Sequence, residues 1–142
     1  MRPALLAVME VAAALLVTGT AVAQQPGATT DMTALPAGAK ITVMQGKPET
    51  GPSTMLMSLP AGYVVALHRH PTDESVLVRS GTYIIKYGTA EQTLSAGQKT
   101  TIKANVLHSE RAEGPTVIEV QSAGVYSIIY VPSTTTPKAV TP

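Results

Sequence analysis

The sequence predicts an all-β domain, folded as a sandwich or a barrel. Three observations carry this. Between Lys40 and Val131 the chain is a succession of short runs rich in Val, Ile, Thr and Tyr. Turn residues punctuate these runs at close spacing, in GKPETGP, PAG, HPTD, SG, SAG and EGP. No stretch long enough for a helix (about 11 residues) carries a convincing 3.6-residue apolar repeat after the first two dozen positions. Eight or more short strands so spaced pack as two sheets or close into a barrel.

The elements follow in order. KITVMQ (40–45) and STMLMSL (53–59) open the series, and the Met55/Met57 pair, two residues apart, lines one apolar face of its strand. A copper–thioether role for that pair is a weaker reading than gap-filling in a core. YVVALHRH (63–70) follows, with His68 and His70 on one face together with Val64 and Ala66, and with Arg69 on the other. Pro71-Thr72-Asp73 reads as a turn. SVLVRS (75–80), TYIIKY (82–87), KTTIKA (99–104), PTVIEVQS (115–122) and VYSIIYV (125–131) complete the set.

The two ends read differently. Residues 1–23 have a basic start at Arg2, an apolar run and the small-residue site Ala21-Val22-Ala23, the layout of a cleavable signal peptide. Glu10 interrupts the run, and the 13 uncharged residues from Val11 to Ala23 fall short of the roughly 20 that a spanning helix needs. No stable membrane anchor is expected after processing, and the expected location is the bacterial periplasm or the medium. Residues 24–39 (ending TTDMTALPAGA) form a flexible lead-in, 40–131 the folded domain, and 132–142 a disordered tail with three prolines.

Composition excludes some functions. Ten Lys and Arg stand against nine Asp and Glu, a net charge of +1 with no basic run, and there is no Phe or Trp. Nucleic acid is therefore excluded as a partner, since phosphate binding needs clustered positive charge. With no cysteine, disulfides and a lipid-modified N-terminal cysteine are excluded too.

The chain's three histidines hold its chemistry. His68 and His70 share a strand face, and Glu74 can fold back beside them across the turn. Two imidazole nitrogens and a carboxylate oxygen make a metal half-site. His108, in KANVLHSE, would be a third nitrogen if its strand lies alongside. Tyr83 and Tyr87 share a parity and could line the same space, or simply be buried tyrosines. Glu119 and Gln121 also share a parity and could offer polar groups to it, although a charged residue more often faces water.

The spacing Gly62, five residues, His68, one, His70, three, Glu74, six, Gly81 resembles the complete first motif of the cupin superfamily. Gly97 and His108 match the separation of the second motif, while its proline falls on Lys103, its inner glycine on Asn105 and its closing asparagine on Ala112. Asn105 is the mildest departure, because Asn tolerates positive φ. The resemblance covers Lys40 to Val131. It implies a single-domain jelly-roll barrel holding one divalent transition metal through His68, His70, Glu74 and His108. That ligand set suits Fe, Mn, Ni, Co, Cu or Zn without choosing between them.

The resemblance also implies a homodimer paired through its sheets. The second-face residues Val65, Leu67 and Leu77 fit that pairing and fit sheet-on-sheet packing equally. The function expected first is that of a small exported metalloenzyme, a dioxygenase-, isomerase- or hydrolase-type cupin acting on a small oxygen-rich molecule. Its weak candidates for a catalytic group are Glu74, Tyr83 and Glu119. The alternative is a non-catalytic cupin that binds a metal or small ligand; a third option is a scaffold stapled by its metal.

Export is expected to remove Met1 to Ala23. Intact-mass measurement of the exported protein should give a chain beginning at Gln24, and a mass that retains Met1 would refute this.

Overall fold

The computed structural model of the protein describes residues 34–132. The expected signal peptide, the lead-in up to residue 33 and the tail beyond residue 132 lie outside the described residues. Ten strands run in chain order: β1 (Lys40–Gly46), β2 (Ser53–Leu59), β3 (Val64–Arg69), β4 (Glu74–Ser80), β5 (Thr82–Tyr87), β6 (Ala90–Ser95), β7 (Lys99–Ile102), β8 (His108–Ala112), β9 (Thr116–Ser122) and β10 (Ile129–Tyr130). They form two five-stranded sheets, ordered β1-β2-β9-β4-β7 and β10-β3-β8-β5-β6, and every pairing is antiparallel. Apart from the hairpins β1–β2 and β5–β6, each strand passes to the other sheet, which is the winding of a jelly roll.

Alternation within the first sheet builds the core. On β2, β9 and β4 the inward rows are Met57, Ile118 and Val78, then Met55, Val120 and Val76. All six are buried. Each such side chain withdrawn from water contributes about 1.5–3 kcal/mol. The next row along is Ser53, Ser122 and Glu74, so the apolar stack gives way to polar groups at one end. From the second sheet Val65, Tyr83, Ile85, Leu94 and Ala112 close the core. Residues 34–39, expected as the end of the flexible lead-in, pack onto this barrel. Leu35 and Ala39 touch the core, and the hydroxyls of Tyr63 and Tyr130 donate to the carbonyls of Pro36 and Ala34, at 2.7 Å each.

Two strands, β6 (AEQTLS) and β8 (HSERA), were not expected from the sequence. Both are too polar to read as strands alone. β6 is a largely exposed edge, and β8 turns polar groups inward.

The structure corrects one face assignment. Val65 pairs with Glu110 and His68 with His108, so β3 spends three residues where β8 spends two. This bulge reverses the strand's parity. Val65 is buried at 2 % and His68 at 1 % exposure, while Val64 is exposed at 55 %. Val64 and Ala66, both exposed, therefore do not share the histidine face, and Val65 belongs to the core rather than to an outer apolar face.

Two glycines of the first motif play different parts. Gly81 turns from β4 into β5 at φ 83°, and a Cβ there would overlap the Pro115 carbonyl oxygen and Thr116. Gly62 has φ 74° but open space around it. Gly81→Ala should therefore destabilise by about 3 kcal/mol, combining left-handed strain with overpacking, and Gly62→Ala by about 1 kcal/mol from strain alone. Denaturant titration of both variants checks this; equal losses would contradict it.

Candidate metal centre

His68 and His108 face each other directly across the β3–β8 pair. His70 lies one residue beyond β3, and Glu74 opens β4 in the opposite sheet, reached through the turn Pro71-Thr72-Asp73. The Asp73 carboxylate accepts from the Ala104 amide at 2.8 Å and from Lys103 Nζ at 2.9 Å, which ties this turn to the loop before β8. In that loop Asn105 adopts φ 63°, donates its amide to the His70 carbonyl at 2.7 Å, and accepts from Arg69 at 2.6 Å through its side chain. Positions 103 and 105 thus hold the loop without proline or glycine.

All three imidazoles are buried, at 4 % exposure or less. Each makes the same kind of bond: Nδ1 meets a backbone carbonyl, Ala66 for His68 (2.7 Å), Ser127 for His70 (2.7 Å) and Val106 for His108 (2.9 Å). A carbonyl oxygen only accepts, so Nδ1 carries the proton in each ring and Nε2 of the neutral ring is a bare lone pair. The three rings present a compact group of nitrogens, all within 4.8 Å of one another. His68 Nε2 and His70 Nε2 stand 3.2 Å apart, with no N–H to place between them. Acceptors converging in a dry interior call for a cation.

Burial holds the His68 imidazolium down, from an ordinary 6.5 to about 4, and lowers His70 as well. A proton is therefore a poor cation for this site near neutrality, whereas a divalent metal binds neutral imidazole. Glu74 Oε2 lies 3.3 Å from His70 Nε2, is buried, and has no hydrogen-bond partner. Its carboxyl is pushed up to about 8, first by burial and then by the charge of Glu110. The donor chemistry fits a first-row divalent ion, with three neutral nitrogens and a carboxylate.

The remaining expected residues separate into two groups. Tyr83 is buried, and burial together with the charge of Glu110 holds its hydroxyl pKa well above the ordinary value. The Tyr87 ring centroid lies 6.2 Å from that of His108. Glu119 does not join them. It sits between the inward Ile118 and Val120, so it points away from the core, where it pairs with Arg79 and accepts from Gln121 Nε2. Two residues at the site were not anticipated. Tyr126 lies against His70 with centroids 5.5 Å apart. Glu110, buried beside the imidazoles, has Oε1 3.6 Å from His108 Nε2 and Oε2 3.9 Å from His68 Nε2. The sequence did carry a signal for it, since Glu110 follows His108 by two residues and shares its strand face.

The Cupin domain family model matches residues 55–124, which include all three histidines and both carboxylates. The chain belongs to the cupin superfamily. Solved cupins share its fold at low sequence identity. A cupin superfamily protein from Desulfitobacterium hafniense superposes with TM-score 0.56 at 14 % identity, over 61 % of this chain and 78 % of its own. A candidate acetylacetone dioxygenase from Methylibium petroleiphilum gives TM-score 0.61 at 19 % identity, over 75 % of each chain. KdgF from a Halomonas species gives 0.53 at 19 % identity, over 62 % of this chain and 82 % of its own. No curated protein matches this cupin in sequence. At these identities the likeness is one of fold.

These shifts give the metal-free cupin a stability maximum. A histidine held below its ordinary pKa takes up its proton more readily unfolded, so stability falls as pH drops from 6.5 towards about 4, by on the order of 3 kcal/mol for His68 alone. Glu74 has the opposite sign, because an acid raised from 4.5 to about 8 loses its protons more readily unfolded. Stability from that source falls as pH rises through this range. The chelated protein should melt highest near pH 6.5, and Glu74→Gln should flatten the alkaline limb and steepen the acid one, because Glu74 opposes the histidines between pH 4.5 and 6.5. A flat melting profile from pH 4 to 8 would contradict this assignment.

Proposed function

We propose that this cupin is an exported metalloenzyme that holds one divalent transition metal through His68, His70, His108 and Glu74. The proposed reaction is of dioxygenase or isomerase type on a small oxygen-rich molecule. The observation that carries the metal reading is the convergence of three bare Nε2 lone pairs in a water-excluded pocket. The carbonyls of Ala66, Ser127 and Val106 hold the rings in the one tautomer that can ligate. A bound ion of this kind supplies Lewis acidity, and iron or manganese also supplies access to oxygen chemistry.

The chain's own residues do the rest. The imidazoles orient the donor set, and Glu74 supplies negative charge from the facing sheet. Tyr83, Tyr126 and the Met55–Val120 rows exclude water. The bacterial periplasm or the medium is the proposed location, on the strength of residues 1–23. A homodimer paired through the β3 sheet is part of this reading, supported by the exposure of Val64 and Leu67 on that strand.

One observation favours a second reading, a non-catalytic metal-binding cupin. The interior space bounded by Leu35, Tyr63, Glu74, Tyr83, Glu110 and Tyr126 amounts to about 10 Å³, room for about one water molecule. In a metal staple the barrel stays closed.

Elemental analysis of the protein, purified from its native compartment without a metal-affinity tag, is the test. The expected result is close to one transition metal per chain, lost in His108→Ala and in His70→Ala, with a lower melting temperature in both. Iron or manganese supports the oxygenase or isomerase reading. Zinc or nickel that does not exchange with a chelator supports the staple. Equal metal content in wild type and variants would overturn the site.

A further inference from the structure

We propose that Glu110 is a fifth donor to the metal centre, so that the pocket offers three imidazoles and two carboxylates to a single divalent ion. The inference rests on the metal reading above and adds a residue to it. Glu110 projects inward from β8 and is 8 % exposed. Its Oε1 has no hydrogen-bond partner, and neither has His108 Nε2, 3.6 Å away. Its Oε2 stands 3.9 Å from His68 Nε2. Both nitrogens are bare acceptors, because their rings spend the Nδ1 proton on the carbonyls of Ala66 and Val106. Two carboxylate oxygens aimed at two lone pairs, with water excluded, repel one another unless a cation lies among them.

The closest contacts have the spacing of donors that share an ion. Donors held about 2.1 Å from one centre lie about 3.0 Å apart at a right angle and about 4.2 Å apart when opposite. The two Glu110 contacts fall inside that window, as do the His68–His70 contact at 3.2 Å and the His70–Glu74 contact at 3.3 Å. Glu110 meets two of the imidazoles, and Glu74 meets one.

Charge gives a separate argument. Three neutral imidazoles bring no charge, so a divalent ion with Glu74 alone would leave a buried net positive charge. With Glu110 ionised as well, the complex is neutral, the state a low-dielectric interior favours. Among the described residues the ion-pair contacts of Glu110 are with His68 and His108, and no Lys or Arg competes for it.

Co(II) binding to the metal-free protein tests this, read by competition with a chromophoric chelator and by the visible absorption of the bound ion. Glu110→Gln should bind Co(II) at least tenfold more weakly than wild type, with altered visible bands because a charged donor is gone. In Glu110→Ala, added formate should restore affinity towards wild type by supplying the missing carboxylate. Thermal melts of the metal-free variants establish that they fold; should both fail, Glu110→Asp keeps the charge on a shorter arm and should fold with shifted bands. Wild-type affinity and bands in Glu110→Gln would overturn the inference and leave the four-ligand site standing. Weaker binding with unchanged bands would place Glu110 outside the coordination sphere and would also overturn it. A wild-type protein that takes up no Co(II) would overturn this inference and the proposed function together.

Discussion

Three Nδ1–H···O=C bonds govern the interior of this protein. Each fixes a tautomer, and each therefore decides where a lone pair points. Two of the acceptors, Ala66 and Val106, lie two residues before the histidine they bind. The third, Ser127, comes from the segment leading into β10. Take these bonds away and the imidazoles could turn, share protons and satisfy one another. With them in place, the pocket is a set of acceptors with one kind of partner missing. Burial, working against the Ala66 bond, is what lowers the His68 imidazolium pKa, and burial with the charge of Glu110 raises the carboxyl pKa of Glu74.

The fold exists around this point in a specific way. A jelly roll sends successive strands to opposite sheets, so residues six apart, His68 and Glu74, approach the same pocket from facing walls. The β3 bulge sets the phase that turns His68 inward after Val65 has already pointed inward. The loop before β8 lies against the β3–β4 turn through Asp73, Lys103 and Asn105. Those contacts do by ion pairing and a left-handed asparagine what a rigid proline–glycine turn would do. Where the family's closing asparagine would stand, Ala112 is buried, and its backbone exchanges hydrogen bonds with Gly62 and Tyr63 at 2.9 Å.

The other end of the barrel is stoppered. Leu35 reaches into the space shared by Glu74, Tyr83 and Glu110, and the hydroxyls of Tyr63 and Tyr130 hold its neighbours Pro36 and Ala34. Those bonds draw on few residues, whereas the Met55–Val120 stack behind them is continuous.

The sequence by itself determined the all-β class, the family, the histidine trio with Glu74, and the tolerance of position 105 for positive φ. Each is written in local terms: strand alternation, fixed motif spacing, and the conformational range of one residue type. Only the tertiary structure decided the rest. A bulge is invisible in a single strand, because the extra residue is defined by what the partner strand does; hence the face of Val64 and Val65 was legible only after pairing. β8 was missed because two of its three inward positions, His108 and Glu110, are polar where a strand pattern expects apolar residues. The same substitution of polar for apolar that hid the strand makes it the wall of the histidine pocket. Glu110 lies far from His68 along the chain and 3.9 Å from it in space, a proximity that sheet pairing creates and local sequence does not encode.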